Sequence, residues 1–199
     1  AGANAVQELA FTLATAVEYS NEMIERGLKA DEVAKRIKFT FGIGSFYFME
    51  VAKLRATRLL WSKILEAYNV KEENQKIFIH GQTSQFNQTF FDPFVNSLRT
   101  TTEVFSAIVG GVDSLQSNPY DESFNQSDDF SRRLARNTQI ILKEESHLDQ
   151  VIDPAGGSYF IEKLTDDIPN AAWKLFQTDE EAGGMLKSIQ SGFVQDEIA

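Results

Sequence analysis

The amino-acid sequence predicts an α/β fold in which parallel strands alternate with helices, as the later part of a (β/α)8 TIM barrel. Three observations carry this expectation. Helical and strand-like spacings follow one another in the order helix, strand, helix, strand, helix, strand, helix. That order implies parallel strands joined by helical crossovers. Two of the strand-like runs, Arg36-Ile37-Lys38-Phe39-Thr40-Phe41 and Lys76-Ile77-Phe78-Ile79-His80-Gly81-Gln82-Thr83-Ser84, have one apolar side and one polar side. In an open sheet covered by helices on both faces, strands read as continuous apolar runs. A polar strand face suits a closed barrel instead, where side chains point at the axis. Finally, the chain has 199 residues, whereas a complete eight-stranded barrel needs about 250, and only three strand patterns are present.

The elements follow in order. Val6, Leu9, Ala10, Leu13, Val17 and Ile24 recur at helical spacing, which predicts an amphipathic helix over 5–26. Gly27 stops it, and 31–35 reads as a helical turn leading into the first strand. Gly42-Ile43-Gly44-Ser45 opens a second helix over 46–68, with Phe46, Met49, Ala52, Leu60, Ile64 and Tyr68 as its buried stripe. The second strand is followed by a polar loop with Asp92-Pro93, a helix to Val109, and a third strand within 112–117. A helix over 129–145, a turn at 153–158 and two helices filling 159–190 complete the chain.

Composition narrows the function. The net charge of −10 disfavours nucleic-acid binding, which needs a basic surface. With no cysteine there is no disulfide framework, thiol nucleophile or thiolate metal site. No apolar run approaches the roughly 20 residues of a membrane helix, and no signal peptide is recognisable. A cytoplasmic protein fits these facts. The start at Ala1-Gly2-Ala3-Asn4 and the end at Glu197-Ile198-Ala199 predict a piece of a longer chain, one partial-barrel domain over 1–199.

Candidate site residues lie on the polar strand faces. His80 and Gln82 come at the C-terminal end of a strand, where barrel enzymes place working groups, although a hydrogen-bonded core histidine is an equal reading. Arg36 and Lys38 would suit an anionic ligand; side chains kept wet at a strand entrance are the alternative. Gly42-x-Gly44 lacks the third glycine of a dinucleotide fingerprint, with Tyr47 in its place, so a tight turn is the reading. Asp128-Asp129 and Glu144-Glu145 are adjacent pairs that cannot face one direction on a helix, and no metal site is expected.

Several stretches together resemble the barrel domain of the methylmalonyl-CoA mutase family. They are 1–10 (Ala-Gly-Ala-Asn-Ala-Val-Gln-Glu-Leu-Ala), 48–56 (Phe-Met-Glu-Val-Ala-Lys-Leu-Arg-Ala), His80-Gly81-Gln82-Thr83-Ser84, Ala135-Arg136-Asn137-Thr138-Gln139-Ile140 and Asp153-Pro154-Ala155-Gly156-Gly157-Ser158. The resemblance implies an adenosylcobalamin-dependent isomerase interconverting methylmalonyl-CoA and succinyl-CoA through a radical, with the pantetheine arm of the CoA ester threading a polar bore. It puts Arg36, His80 and Gln82 at substrate-contact positions and Glu122 where catalytic chains approach the cofactor. Gln85-Phe86 replaces a Gly-Trp pair that packs on the corrin. Lys38 stands where catalytic chains carry a small hydroxyl residue, and Asp113 replaces a Gln. A lysine would narrow the bore, and an added carboxylate would repel an anionic ester.

These departures resemble the small subunit of the heterodimeric mutases, which pairs with a catalytic large subunit and binds no cobalamin. The resemblance thus implies no catalytic residue and no bound cofactor in this piece, and inactivity of the 199 residues by themselves. A barrel segment from a catalytic chain of this or a related acyl-CoA mutase is the alternative. Open sheet edges further predict self-association of the isolated piece.

Overall fold

The computed structural model of the protein describes residues 2–199, and in it the alternation read from the sequence is present. In chain order the elements are α1 (Ala5–Glu25), α2 (Ala30–Ala34), β1 (Lys38–Ile43), α3 (Tyr47–Ala67), β2 (Phe78–Thr83), α4 (Asn96–Val109), β3 (Ser114–Gln116), α5 (Asp129–Glu144), α6 (Tyr159–Glu181), α7 (Met185–Ser191) and α8 (Phe193–Ile198). The strands form one three-stranded sheet in the order β1-β2-β3. β2 and β3 run parallel, with His80 opposite Ser114, Gly81 opposite Leu115 and Gln82 opposite Gln116. The chain is α/β as expected, and its described strands make an open sheet.

Backbone contacts divide the chain into two compact units. Among the described residues the first comprises 2–39, 55–78 and 163–199. Its longest N-terminal helix, α1, starts with a capping box in which the Asn4 side chain accepts from the Gln7 amide and the Gln7 side chain accepts from the Asn4 amide. One face of α1 buries Leu9, Ala10, Leu13, Ala14 and Val17 and packs against α2, α7 and α8. Phe39 and Trp61 are both buried and meet edge-to-face with ring centroids 5.0 Å apart. The two helices expected over 159–190 form as α6 and α7, separated at Gly183-Gly184, and α8 follows Gly192 beyond that range.

The second unit comprises 40–54 and 79–162. Its core joins Val51, Val109, Ala155 and Ile161, with Tyr47 and Phe105 packed against them. Gly81 is closely surrounded: a Cβ there would stand 3.1 Å from Leu115, 3.2 Å from Val112 and 3.3 Å from Ile43, so those side chains would have to give by a few tenths of an ångström.

Strand boundaries differ from the sequence reading in each of the three strands. β1 begins at Lys38 rather than Arg36, because the amides of Arg36 and Ile37 both bond to the Val33 carbonyl and extend the turn after α2. β2 begins at Phe78 and leaves Ile77 outside it. β3 is confined to three residues. Gly111, at φ 80°, lets the Val112 amide return to the Ala107 carbonyl and close the end of α4. Phe46, expected in the buried stripe of α3, precedes the first helical residue and is 66% exposed.

Candidate functional site

Alternation along the strands creates two unlike sheet faces. In β1, Phe39, Phe41 and Ile43 are buried while Lys38, Thr40 and Gly42 are exposed. In β2, Ile79, Gly81 and Thr83 are buried while His80 and Gln82 are half-buried. The apolar positions are buried, and the polar positions are exposed or half-buried. Within the second unit, Thr40, Gly42, Gln82, Ser84, Gln85 and Asn118 line a hollow of about 300 Å³ at the C-terminal ends of β1 and β2.

His80 and Gln82 are held in different ways. The Nδ1 of His80 lies 2.7 Å from Oγ of Ser114, its partner across the parallel ladder. Gln82 has Asn118 Oδ1 at 3.5 Å, the outer edge of hydrogen bonding, and Gln116 reaches the same oxygen at 3.5 Å. Asn118 is itself fixed, since its side chain donates to the Thr83 carbonyl at 2.7 Å and its amide donates to Thr83 Oγ1 at 2.8 Å. The polar face thus carries a His80–Ser114 pair and a separate group of Gln82, Gln116, Asn118 and Thr83, whose amides and hydroxyls can donate to and accept from a polar ligand.

The other residues singled out in the sequence fall as follows. Glu122 shares with His80 the wall of a groove of about 830 Å³ bordered also by Gln116, Arg132 and Arg136. Gln85 lines the smaller hollow, and Phe86 stands 93% exposed on the loop after β2, its amide donating to Ser84 Oγ. Arg36 lies in the first unit, in the turn before β1, where its guanidinium donates to the Glu32 carbonyl at 2.9 Å. Lys38, in the same unit, places its ammonium over the Phe78 ring, 4.7 Å from the centroid. Asp113 is engaged by the backbone: its carboxylate accepts from the Ile79 amide at 2.8 Å.

Sequence reading missed the polar floor beneath this face. Lys53, 1% exposed, donates to the Gly42 carbonyl at 2.7 Å and pairs with Glu50 at 2.6 Å. Glu103, also 1% exposed, accepts from the Asn87 side chain at 2.6 Å. Burial, reinforced by the neighbouring Glu50 charge and opposed by the Asn87 bond and the Ser84 amide, pushes the Glu103 carboxyl up to about 7. Ser114 and Gln116 were legible as alternate positions of the third strand. For Asn118, just beyond a strand end, no sequence pattern gives a signal.

The methylmalonyl-CoA mutase family profile matches residues 1–199. The chain is 50% identical over its whole length to the methylmalonyl-CoA mutase small subunit of Porphyromonas gingivalis, covering 32% of that protein. Identity is 44% to the small subunit of Streptomyces virginiae, again over the whole chain and 32% of the relative. With the methylmalonyl-CoA mutase of Escherichia coli it is 48% over 96% of this chain and 27% of the other. The chain thus spans about a third or less of the length of these relatives. A match of this extent, on a sheet with the polar face described above, shows that the chain belongs to the methylmalonyl-CoA mutase family.

Proposed function

We propose that these residues are the later part of the (β/α)8 barrel of a methylmalonyl-CoA mutase small subunit. In this reading the subunit belongs to a cytoplasmic, adenosylcobalamin-dependent isomerase that interconverts methylmalonyl-CoA and succinyl-CoA. It pairs with a catalytic large subunit and carries out no chemistry itself. The observation that carries the reading is the 50% identity with a small subunit along the whole chain. Lys38 supports it, as a cation rising from the face that would line the bore.

His80 and Gln82 would face the pantetheine arm, where half-buried amide and imidazole groups match a chain of amides. Arg36, exposed at the entrance of β1, would meet an anionic part of the ester. No group of three or more His, Cys, Asp or Glu side chains among the described residues could hold a metal ion. Gln85, Phe86 and Glu122 stand at positions that flank the cofactor in catalytic chains, and in this reading the small subunit itself holds no cobalamin. The 199 residues alone are inactive in this account, and their open sheet edges favour self-association.

A second reading, a segment of a catalytic chain, draws on the 48% identity with the Escherichia coli mutase. Native mass spectrometry separates the two. The full polypeptide carrying this sequence, mixed with the large subunit of a heterodimeric mutase, gives a one-to-one complex if the first reading holds. Failure to pair with the large subunit contradicts it and favours the second.

A further inference from the structure

The polar cluster beneath the loop after β2 has a property that the mutase reading neither requires nor explains. Glu103 sits in the middle of α4 with 1% of its surface exposed. Its Oε1 accepts from the Asn87 side chain at 2.6 Å. Its Oε2 is buried without a hydrogen-bond partner, and so is the Asn87 Oδ1. A carboxylate has acceptor oxygens only, whereas a carboxylic acid carries a donor. As an anion, Glu103 leaves a charged oxygen buried and unpaired, which is costly. Once protonated it loses the charge and keeps the Asn87 bond.

Asn87 is the one side chain of the 84–95 loop bonded to this carboxyl. The same loop is tied a second time to α4, where Asn96 accepts from the Thr89 amide at 3.0 Å and donates to the Thr89 carbonyl at 2.9 Å. Between these ties and beyond them the loop exposes Phe86, Phe90, Phe91 and Phe94.

We propose that Glu103 and Asn87 form a proton-operated latch that holds the loop after β2 closed when the carboxyl is protonated and loosens it when the carboxyl ionises.

The charges around Glu103 allow this. From α3 it faces Glu50, whose like charge favours the protonated acid; Glu50 is itself paired with Lys53 at 2.6 Å. From the loop it meets Asn87 and the Ser84 amide, which are not ionisable. α5, which packs on α4, turns the uncharged Leu134, Ala135 and Thr138 toward Thr100. On α4 itself, Arg99 is engaged with Asn96 Oδ1 at 2.9 Å. Among the described residues, no cation is thus poised to keep Glu103 ionised.

The direction follows from linkage. The closed loop raises the Glu103 carboxyl from its ordinary 4.5 to about 7, while opening returns it to water. The closed state is favoured in full below the ordinary value, loses ground as pH climbs toward 7, and is constant above that. Amide hydrogen exchange of 85–91, corrected for the intrinsic rate, is the measurement. Protection should fall roughly tenfold to a hundredfold between pH 5 and pH 8. Glu103→Gln retains an acceptor for Asn87 and should abolish the slope. Protection that is flat with pH in the unaltered protein, or an equal slope in E103Q, overturns the latch. Should E103Q not fold, the carbon-13 shift of the Glu103 carboxyl decides: a midpoint near 7 supports the proposal, and one in the ordinary glutamate range overturns it.

Discussion

His80 Nδ1 and Ser114 Oγ stand 2.7 Å apart across the β2–β3 ladder, on registered partners. The contact fixes one nitrogen of a half-buried ring and aligns the imidazole with the polar face. Ser114→Ala should lower the unfolding free energy by about 1 kcal/mol, the usual worth of such a bond. Adding His80→Ala should cost less than the two single changes summed, because the pair is lost only once. Urea denaturation of the two single variants and the double variant checks both statements.

Lys53 carries more of the fold than a surface lysine would. Its ammonium is buried between the Gly42 carbonyl and Glu50. Lys53→Met removes this ion pair and leaves the Glu50 carboxylate buried, which should cost about 3 kcal/mol. Combining it with Glu50→Gln should recover part of that loss. Denaturant midpoints of the single and double variants decide whether the pair acts as a unit.

In the first unit, Asp179 of α6 is fully buried. Burial, together with the nearby Glu18 charge and against the Ser188 hydroxyl, raises its carboxyl above the ordinary 3.8. A folded value above the unfolded one means that stability from this group is present at low pH and lost as pH rises. Asp179→Asn should therefore stabilise the protein at pH 8, by on the order of 1 kcal/mol, and change little near pH 4. Thermal melts at both pH values measure the difference.

The sheet ends at β1 on one side and β3 on the other, and unpaired strand edges recruit other strands. Light scattering on the isolated 199 residues should give a mass that grows with concentration. A strictly monomeric mass at high concentration would count against the open-barrel account.

The strand faces were readable in advance because side chains alternate with a period of two, and Phe39, Phe41 and Ile79 are buried where that period puts them. Arg36 broke the pattern at its edge, since the last hydrogen bonds of α2 claim the backbone there before pairing begins. Phe46 failed because apolar spacing does not mark where a helix starts. Asn96, Thr100 and Glu103 defeat the reading more fundamentally: α4 turns these polar side chains inward, and Asn96 there donates to the Thr89 and Tyr120 carbonyls. Hydrophobic periodicity is silent about such a face. Among the site residues, His80 and Gln82 were legible from strand position, whereas the anchoring role of Asn118 depends on the register of β3 against β2, which the sequence does not display.

The non-catalytic assignment is tested most directly by turnover. The full polypeptide bearing this sequence, given adenosylcobalamin and methylmalonyl-CoA, should form no succinyl-CoA alone and should support its formation once the large subunit is added. Succinyl-CoA produced by that polypeptide without a partner would contradict the assignment.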